Sequence, residues 1–371
     1  MAFSQGSRAS LAYKTESTFG ITVDGDFKNL PFSTHSLSLT KDSLAGTDMQ
    51  PDRMTRVNRA GNRQVGGDIV VDLRDSDFDE FLESAMLNVF PAAGSNPQRM
   101  KIGTTRKFLT IEDVAEDINV RRQFGGCTVS SMAISLAPNQ MVTTTFGMVG
   151  KDMNPLLEAG SFIEDEVYTI VSVGPTATVT DFTVFGADNN NIGTTFTCDA
   201  NAQTGTGTAR VATSGKRVHA ASTGASPFDA YSGDISIGTV GSPATSAIVT
   251  SIDFTLDNTM AATFVIGSDS APSIEAGRAE VEGTLTAYFE NSDLIDRFLT
   301  ETKTAIRVSV DDETLVNPYI FDFPSVKITS ADVGVDGPAS RMVTMSFVAL
   351  YDASAGGLAT NFMITRPDVP A

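Results

Sequence analysis

The chain has 371 residues, a length typical of two or three domains of about 150 residues each. Its 45 acidic residues against 26 lysines and arginines give a net charge of −19, which disfavours binding to DNA or to anionic lipid. Two cysteines and two histidines are too few for a disulfide scaffold, a cysteine zinc site or histidine-based catalysis. The sequence has no apolar run of about 18 residues and begins without the apolar stretch of a signal peptide, so we expect a soluble, non-enzymatic protein made in the cytosol.

Alternating apolar and polar residues are the commonest pattern along the chain, and they predict β-strands. In residues 65–73 every second residue is apolar or glycine, and Asp68 and Asp72 lie on the opposite face. Threonine and valine are frequent in such stretches, as expected for strands. Further strands are predicted over 106–112, 127–136, 141–149, 167–173, 281–290, 306–310, 325–330 and 342–351. The fold is therefore predicted to be mainly β.

One helix is predicted over residues 76–89, where apolar residues follow a helical spacing. The stripe consists of Phe78, Phe81, Leu82, Ala85, Met86 and Val89. Ser76 is a candidate N-cap, and Asp77 and Asp79 lie where the helix dipole favours negative charge.

Two parts of the chain repeat the same order of elements: an alternating strand, a Ser-Asp helix start, an apolar helix and a late strand. The matched segments are 37–40 with 252–255, 65–78 with 281–294, 81–82 with 298–299, and 141–146 with 342–347. The pattern predicts one sheet-plus-helix domain that occurs twice, at about 35–152 and 250–352.

The segment between the two copies has a different pattern. Short strands and a turn-rich stretch over 160–211 predict a small inserted β domain, and the Ser-, Ala- and Gly-rich residues 212–248 predict a connection. We therefore expect a first domain at 1–152, the insertion and linker at 153–224, and a second domain with a C-terminal tail at 225–371.

Residues that could carry chemistry are few. No phosphate-binding loop, catalytic residue, cofactor site or metal site is predicted, and Cys127 is expected to be a buried apolar residue of a strand. The two histidines are isolated in the sequence, which favours structural roles. Solvated turns or loops are predicted at the acidic groups Glu112-Asp113, Glu116-Asp117 and Asp311-Asp312-Glu313, and the isolated histidines are His35 and His219.

Three stretches of the first copy carry a resemblance to a known family. They are 108–114 (Phe-Leu-Thr-Ile-Glu-Asp-Val), 124–136, which begins Phe-Gly-Gly-Cys-Thr-Val, and 141–151, which ends Phe-Gly-Met-Val-Gly-Lys. Residues 6–20 and, in the second copy, 276–283 add to the resemblance. With these motifs the chain resembles the tail tube proteins of long-tailed phages (siphophages), of the type with a duplicated tube domain. The segment 153–224 departs from the family pattern.

The resemblance implies a fold and an assembly. It implies two tandem tail-tube domains, each with packed antiparallel sheets and a flanking helix, which form trimeric, pseudo-hexameric rings. The rings stack into a tube that conducts the genome into the host. Implied partners are other copies of the chain, the tape measure protein, the tail terminator and distal tail proteins, and viral DNA that passes without specific binding, with no membrane. The implied location is the virion tail, assembled in the host cytoplasm. The insertion is expected on the outside of such a tube because the lumen is narrow and neighbouring subunits crowd the sides.

The strand faces supply candidates for the wall of such a conduit. Asp68, Asp72, Glu282, Thr284 and Thr286 lie opposite the apolar positions of the two repeated strands. Carboxylates on a lumen wall would repel DNA within a Debye length of roughly 8 Å, which gives the net negative charge a use. The alternative is that these are ordinary solvated strand faces.

Four arginines are candidates for contacts between rings, because a basic loop that meets an acidic surface can steer association. They are Arg53, Arg56, Arg59 and Arg63, whereas the equivalent second-copy region 258–278 carries Asp269, Glu275 and Arg278. The alternatives are a solvated charge run or a phosphate contact.

Two other functions are open at this point. One is a minor tail or decoration β protein of the virion that binds the host surface, although such a protein needs no pair of ring-forming domains. The other is a polysaccharide depolymerase, which would need clustered acids on a β-helix, and the sequence has no such repeat.

Overall fold

The structure, a computed structural model, confirms a mainly β chain with 51% strand and 8% helix. It describes residues 3–48, 51–52, 54–92, 97–176, 179–199, 205–244, 248–290, 292–313, 318–335, 340–353 and 359–366. Each strand predicted from alternation overlaps an observed strand, and a second short helix follows the second copy of the repeated strand.

The elements fall into three consecutive groups. The first contains a 3₁₀ turn at Gly6–Arg8, β1 (Ala9–Thr15), β2 (Phe27–Leu30), β3 (Thr34–His35), β4 (Ser38–Ala45), β5 (Asn58–Asp72), α1 (Asp79–Met86), β6 (Gln98–Lys101), β7 (Leu109–Ala115), β8 (Val120–Leu136), β9 (Thr143–Gly150) and β10 (Asp152–Met153). The second contains β11 (Leu156–Glu158), β12 (Val167–Ser172), β13 (Thr195–Thr197), β14 (Thr208–Val211) and 3₁₀ turns at Ala159–Ser161 and Phe182–Phe185. The third contains β15 (His219–Ala220), β16 (Asp229–Thr239), β17 (Ser242–Ala244), β18 (Val249–Asp257), β19 (Ala261–Thr263), β20 (Ser273–Glu275), β21 (Glu280–Tyr288), α2 (Asp293–Leu299), β22 (Thr304–Asp311), β23 (Tyr319–Asp332), β24 (Met342–Ala349) and β25 (Met363–Arg366).

The two copies build the same sheet in the same strand order. The order is β1-β7-β8-β9-β5-β4 in the first copy and β16-β22-β23-β24-β21-β18 in the second, with all neighbours antiparallel. An irregularity recurs too: β8 has a bulge against β9 between Val129 and Ser131, and β23 has one against β24 between Ile328 and Ser330. The duplication predicted from the sequence is confirmed.

The sequence alignment of the two copies is nevertheless two residues out in two places. Val65 and Val281 occupy equivalent positions and pair with Leu39 and Leu256 respectively. Leu39 is therefore the structural counterpart of Leu256, whereas the sequence alignment of the two copies matches Leu39 with Phe254. The late strands are shifted in the same way. Successive strand residues alternate between faces, so a shift of two leaves the pattern of apolar and polar positions unchanged.

The first helix is shorter than the predicted 76–89 and begins differently. Its N-cap is Phe78, which makes no side-chain capping bond. Ser76 has a left-handed φ of 61°, and its backbone N–H donates to the Tyr319 hydroxyl at 3.1 Å. The prediction that Ser76 caps the helix is wrong because the helix begins only at Asp79, and the Ser76 hydroxyl donates to the Asp75 carboxylate at 3.0 Å instead. The buried residues of α1 are Phe81, Leu82, Ser84, Ala85 and Met86.

Short strands tie the two copies together. β25, near the C-terminus, pairs with β23 of the second copy and with β6 of the first, and β15 pairs in parallel with β2. Residues 212–248, predicted as a connection, contain β16, which pairs with β22. The prediction is therefore wrong for residues 229–239, where pairing with β22 satisfies the backbone hydrogen-bonding groups in spite of the Ser- and Gly-rich composition.

The insertion has a sheet and a core of its own, as predicted for a small inserted β domain. The strand order is β11-β14-β12-β13. Its core is a cluster of aromatic rings around Phe162, which lies 4.6 Å from Tyr168 between ring centroids and 5.2 Å from Phe185. Cys198 is buried among them. The aromatic rings give this small sheet a core separate from that of the tandem copies.

A buried ion cluster fastens the insertion to the first copy. Arg121 on β8 is fully buried, and its guanidinium contacts Glu112 on β7 at 3.0 Å and Glu166 of the insertion at 2.5 Å. His219 Nε2 lies 2.7 Å from the same Glu112 carboxylate. Although burial opposes its charge, Glu166 and Glu112 hold the pKa of Arg121 above its ordinary value. The prediction of a solvated turn at Glu112 and Asp113 is therefore wrong: both lie in β7 and are buried.

The ion cluster gives a test of how the insertion is held. We expect Arg121→Met to lower the free energy of unfolding by about 3–5 kcal/mol, because Glu112 and Glu166 would remain buried without their partner. Urea denaturation of the unassembled chain measures the loss. The control is Arg278→Met, whose guanidinium pairs with Glu280 at the surface and should matter by less than about 1 kcal/mol. Equal losses for the two variants would contradict the assigned role of Arg121.

Candidate functional site: the polar face of the joined sheet

One continuous antiparallel sheet runs through both copies. β8 is long enough to have two sets of neighbours: its N-terminal half pairs with β7, and its C-terminal half lies between β9 and β18. The pairing with β18 extends from Leu136 opposite Ile252 to Ser131 opposite Asp257. The resulting eight-stranded run is β4-β5-β9-β8-β18-β21-β24-β23. The two copies therefore present a common pair of faces.

One face of this run is apolar and packs into the core. Ile69 on β5 is directly opposite Phe146 on β9, and Phe254 on β18 is opposite Ile134 on β8; all four side chains are buried. This face includes both repeated strands, and the core cluster extends without a break through both copies. The core therefore crosses the boundary between the copies.

The opposite face is polar, and it carries every residue predicted for a lumen wall. A single row crosses the sheet from β5 to β24, and its members are Asp72, Thr143, Ser135, Asp253, Thr284 and Ser346. Because residues two apart in a strand share a face, Asp68 lies beside this row in the first copy, and Glu282 and Thr286 lie beside it in the second. The structure thus brings the five predicted residues to one face.

The charge of this face is negative. The carboxylates of Asp68, Asp72, Asp253 and Glu282 point away from the core, and Asp253 accepts a hydrogen bond from the Ser135 hydroxyl across the junction of the copies. Among the ion pairs of the described residues, none joins these four carboxylates to a lysine or arginine. Asp253 was not among the residues predicted for the lumen wall. Its place between the apolar Ile252 and Phe254 in an alternating stretch could have assigned it to the polar face.

The four arginines predicted for contacts between rings do not form one cluster. Arg53 lies outside the described residues. Arg56 is exposed and pairs with Asp52 in the loop that joins β4 and β5, and Arg59 is exposed near the start of β5. Arg63 is largely buried instead, with its guanidinium 3.3 Å from Asp152 and 3.1 Å from Asp269. Arg63 therefore has partners within the chain.

A hairpin of the second copy contacts the first copy through arginine–carboxylate ion pairs. β19 and β20 form this hairpin, which carries Asp269 between its strands and Glu275 in β20. Arg106 of the first copy contacts the Glu275 carboxylate at 3.0 Å and donates to the Ile274 carbonyl at 2.8 Å. Hydrogen bonds from Ser273 and Arg106 lower the pKa of Glu275. These contacts join residues far apart in sequence, so no local sequence pattern predicts them.

Groups suited to catalysis or metal binding are sparse where the structure describes the chain. Cys127 is fully buried in β8, as predicted, and burial raises the pKa of its thiol well above the ordinary value. Within the described ranges, no group of three or more His, Cys, Asp or Glu side chains is placed to hold a metal ion. Neither described helix has the length and apolar character needed to cross a membrane.

These features define a class: a mainly β protein made of two tandem sheet-and-helix domains with one shared polar face. The sequence model of the family described as phage tail tube protein matches the chain twice, over residues 6–209 and 158–349. The chain belongs to the phage tail tube protein family, as the resemblance predicted. Both matches include residues 158–209, so the prediction that the segment 153–224 departs from the family pattern does not hold for these residues. No curated protein matches the chain. Membership makes the protein a structural component of the virion tail and suggests a non-enzymatic role.

The assignment of the two faces can be tested with neighbouring residues of β21. A Cβ atom at Gly283 would lie 2.6 Å from the Asp253 carbonyl oxygen and 2.6 Å from the Phe347 ring. We expect Gly283→Val to lower the free energy of unfolding by about 1–3 kcal/mol, because β18 and Phe347 would have to shift. The control is Thr284→Val on the polar face, which should change stability by less than about 0.5 kcal/mol in the same denaturation experiment. A larger loss for Thr284→Val would reverse the assignment.

Proposed function

We propose that the chain assembles into rings of three copies, and that these rings stack into the tail tube through which the phage genome is delivered. The observation that carries the proposal is the pairing of β8 with β18, which joins two tube domains into one sheet with a single acidic face. Family membership supports a tube. A wall built from such sheets needs one face for the protein core and one for the channel.

Three copies suit a ring because each chain already contains two equivalent domains. Three chains then supply six domains, and the ring has pseudo-sixfold symmetry. Three eight-stranded runs would form a barrel of about 24 strands, with a circumference of about 115 Å and a diameter of about 37 Å at the backbone before strand tilt enlarges it. Closure would also leave no exposed sheet edge.

The acidic face would serve the passage of DNA. Carboxylates such as Asp68, Asp72 and Glu282 repel phosphates at short range, while the hydroxyls of Thr284 and Thr286 keep the wall polar without positive charge. A conduit needs a wall to which its cargo does not bind. We therefore propose that this face lines the lumen and contacts viral DNA only in transit.

The insertion is proposed to lie on the outside of the tube. Its ion cluster is anchored on Arg121 in the N-terminal half of β8, whereas the junction of the copies uses the C-terminal half of that strand. The proposed division is a first tube domain at 1–152, the insertion and linker at 153–224, and a second tube domain with its tail at 225–371. The tape measure protein, the tail terminator and the distal tail proteins are the proposed partners, with assembly in the host cytoplasm.

The lumen assignment predicts a defect in transport without a defect in assembly. We expect Asp68→Asn, Asp72→Asn and Glu282→Gln together to leave filaments of normal diameter in electron micrographs but to slow genome delivery several-fold, because the wall would repel DNA less. The measurement is the rate of DNA release from particles that carry the variant tube.

A matched control removes the same amount of charge elsewhere. Glu158→Gln, Asp165→Asn and Asp188→Asn change three exposed acids of the insertion. We expect this control to release DNA at the rate of the unaltered particle. Equal rates for the two triple variants would count against a lumen role.

The exposed arginines predict a defect in ring stacking. We propose that the loop between β4 and β5 contacts the next ring, and we expect Arg56→Glu with Arg59→Glu to leave rings intact but to shorten filaments at least several-fold. Sedimentation and electron microscopy distinguish rings from filaments. The control is Arg8→Glu with Arg99→Glu, two exposed arginines outside this loop and outside its second-copy equivalent, 258–278. Full-length filaments from the first variant would overturn the assignment.

A further inference from the structure

The eight-stranded run ends in two strand edges without a partner in the described part of the chain. One is the outer edge of β4, which pairs only with β5. The other is the C-terminal half of β23, residues 327–332, which pairs only with β24. Unpaired edges of this kind are templates for pairing with another chain.

The first of these edges has a paired equivalent inside the chain. β4 and β18 are counterparts, because Leu39 pairs with Val65 just as Leu256 pairs with Val281. β18 is not an edge: its outer side pairs with the C-terminal half of β8. The counterpart of that half of β8 is the free C-terminal half of β23.

Matching bulges fix the correspondence between β8 and β23. The bulge between Val129 and Ser131 corresponds to the one between Ile328 and Ser330. A second pair of bulges, where β7 meets β8 and β22 meets β23, aligns Phe124 with Phe323 and Cys127 with Val326 in the same frame. In this frame Ala133 corresponds to Asp332, and its partner Thr255 corresponds to Ser38.

We propose that β4 of one copy pairs, antiparallel, with the C-terminal half of β23 of a second copy, in the register that sets Ser38 opposite Asp332 and Leu39 opposite Ala331. The contact repeats between chains the pairing that β18 and β8 make within one chain. This inference rests on the proposed ring, and it supplies the surface and the register by which the ring is joined.

The chemistry of the two edges fits this register. Leu39, Ala331 and Val333 are half-buried and pack against the core, so the paired strands would extend the apolar face. Ser38 and Asp332 are exposed and would extend the polar face. The strand directions also fit, because an even number of alternating strands leaves β4 and β23 antiparallel, so a head-to-tail contact keeps the alternation.

Paired cysteines test the contact and its register. Ser38→Cys with Asp332→Cys places thiols directly opposite each other between copies, and mild oxidation of the assembled full chain should link them. Ala133→Cys with Thr255→Cys is the matched control within one chain, and it should form an internal disulfide. Ser38→Cys with Ser330→Cys is two residues out of register. The native Cys127 and Cys198 are buried and should not contribute.

The expected result is a ladder of linked chains on non-reducing gels from the Ser38–Asp332 pair, at least tenfold stronger than from the Ser38–Ser330 pair. In a ring of three the ladder ends at three chains. Filaments in micrographs without this ladder, while the internal control forms, would overturn the inference and leave the tube function standing. Equal linkage from both pairs would overturn the register. A chain that forms neither rings nor filaments would overturn the proposed function and the inference with it.

Discussion

The structure depends on the antiparallel pairing of β8 with β18. Without this pairing the chain would contain two similar sheets joined only by the short strands β15 and β25, by loops and by side-chain packing. With it, the hydrogen-bond ladder fixes which residues of the two copies share a face, because a shift of one residue would exchange the core and solvent faces. The buried Phe254 and the exposed Asp253 are adjacent in β18, and the ladder places them opposite Ile134 and Ser135. One acidic face and one core follow from this register.

The two halves of β8 have different tasks, and that difference explains how an insertion can coexist with the continuous sheet. The N-terminal half carries Arg121, whose buried contacts with Glu112 and Glu166 hold the inserted domain. Buried ion pairs contribute little net stability because desolvation of the charges offsets their attraction, but they make a misplaced partner costly. The contacts of Arg121 with Glu112 and Glu166 therefore serve mainly to fix the position of the insertion on the first copy. The C-terminal half stays available for the junction of the copies.

The sequence was sufficient for the fold class, the duplication and the polar face, because each depends on a local alternation of period two that Asp68, Asp72 and Thr284 display directly. It could not show which residues of the two copies are equivalent, because a shift of two residues preserves that alternation. The sequence alignment therefore matched Leu39 with Phe254, whereas its structural counterpart is Leu256. The sequence also misplaced Glu112, whose partners Arg121, Glu166 and His219 come from three separate segments. Local patterns report which face a residue occupies, whereas the partners of a buried charge are set by tertiary packing.

Because the domain is duplicated, a contact within one chain can show how neighbouring chains are joined. A single tube domain would contain no such contact. In this chain β18 pairs with β8, whereas their counterparts, β4 and the end of β23, have no partner on that side among the described residues. The open edges belong to opposite ends of the run, so a contact between chains must be head-to-tail, and such contacts form closed rings when the rotation per chain divides a full turn. If the contact between chains repeats the one within the chain, every domain is related to the next by nearly the same rotation. The geometry of the internal junction then sets the curvature of the whole ring.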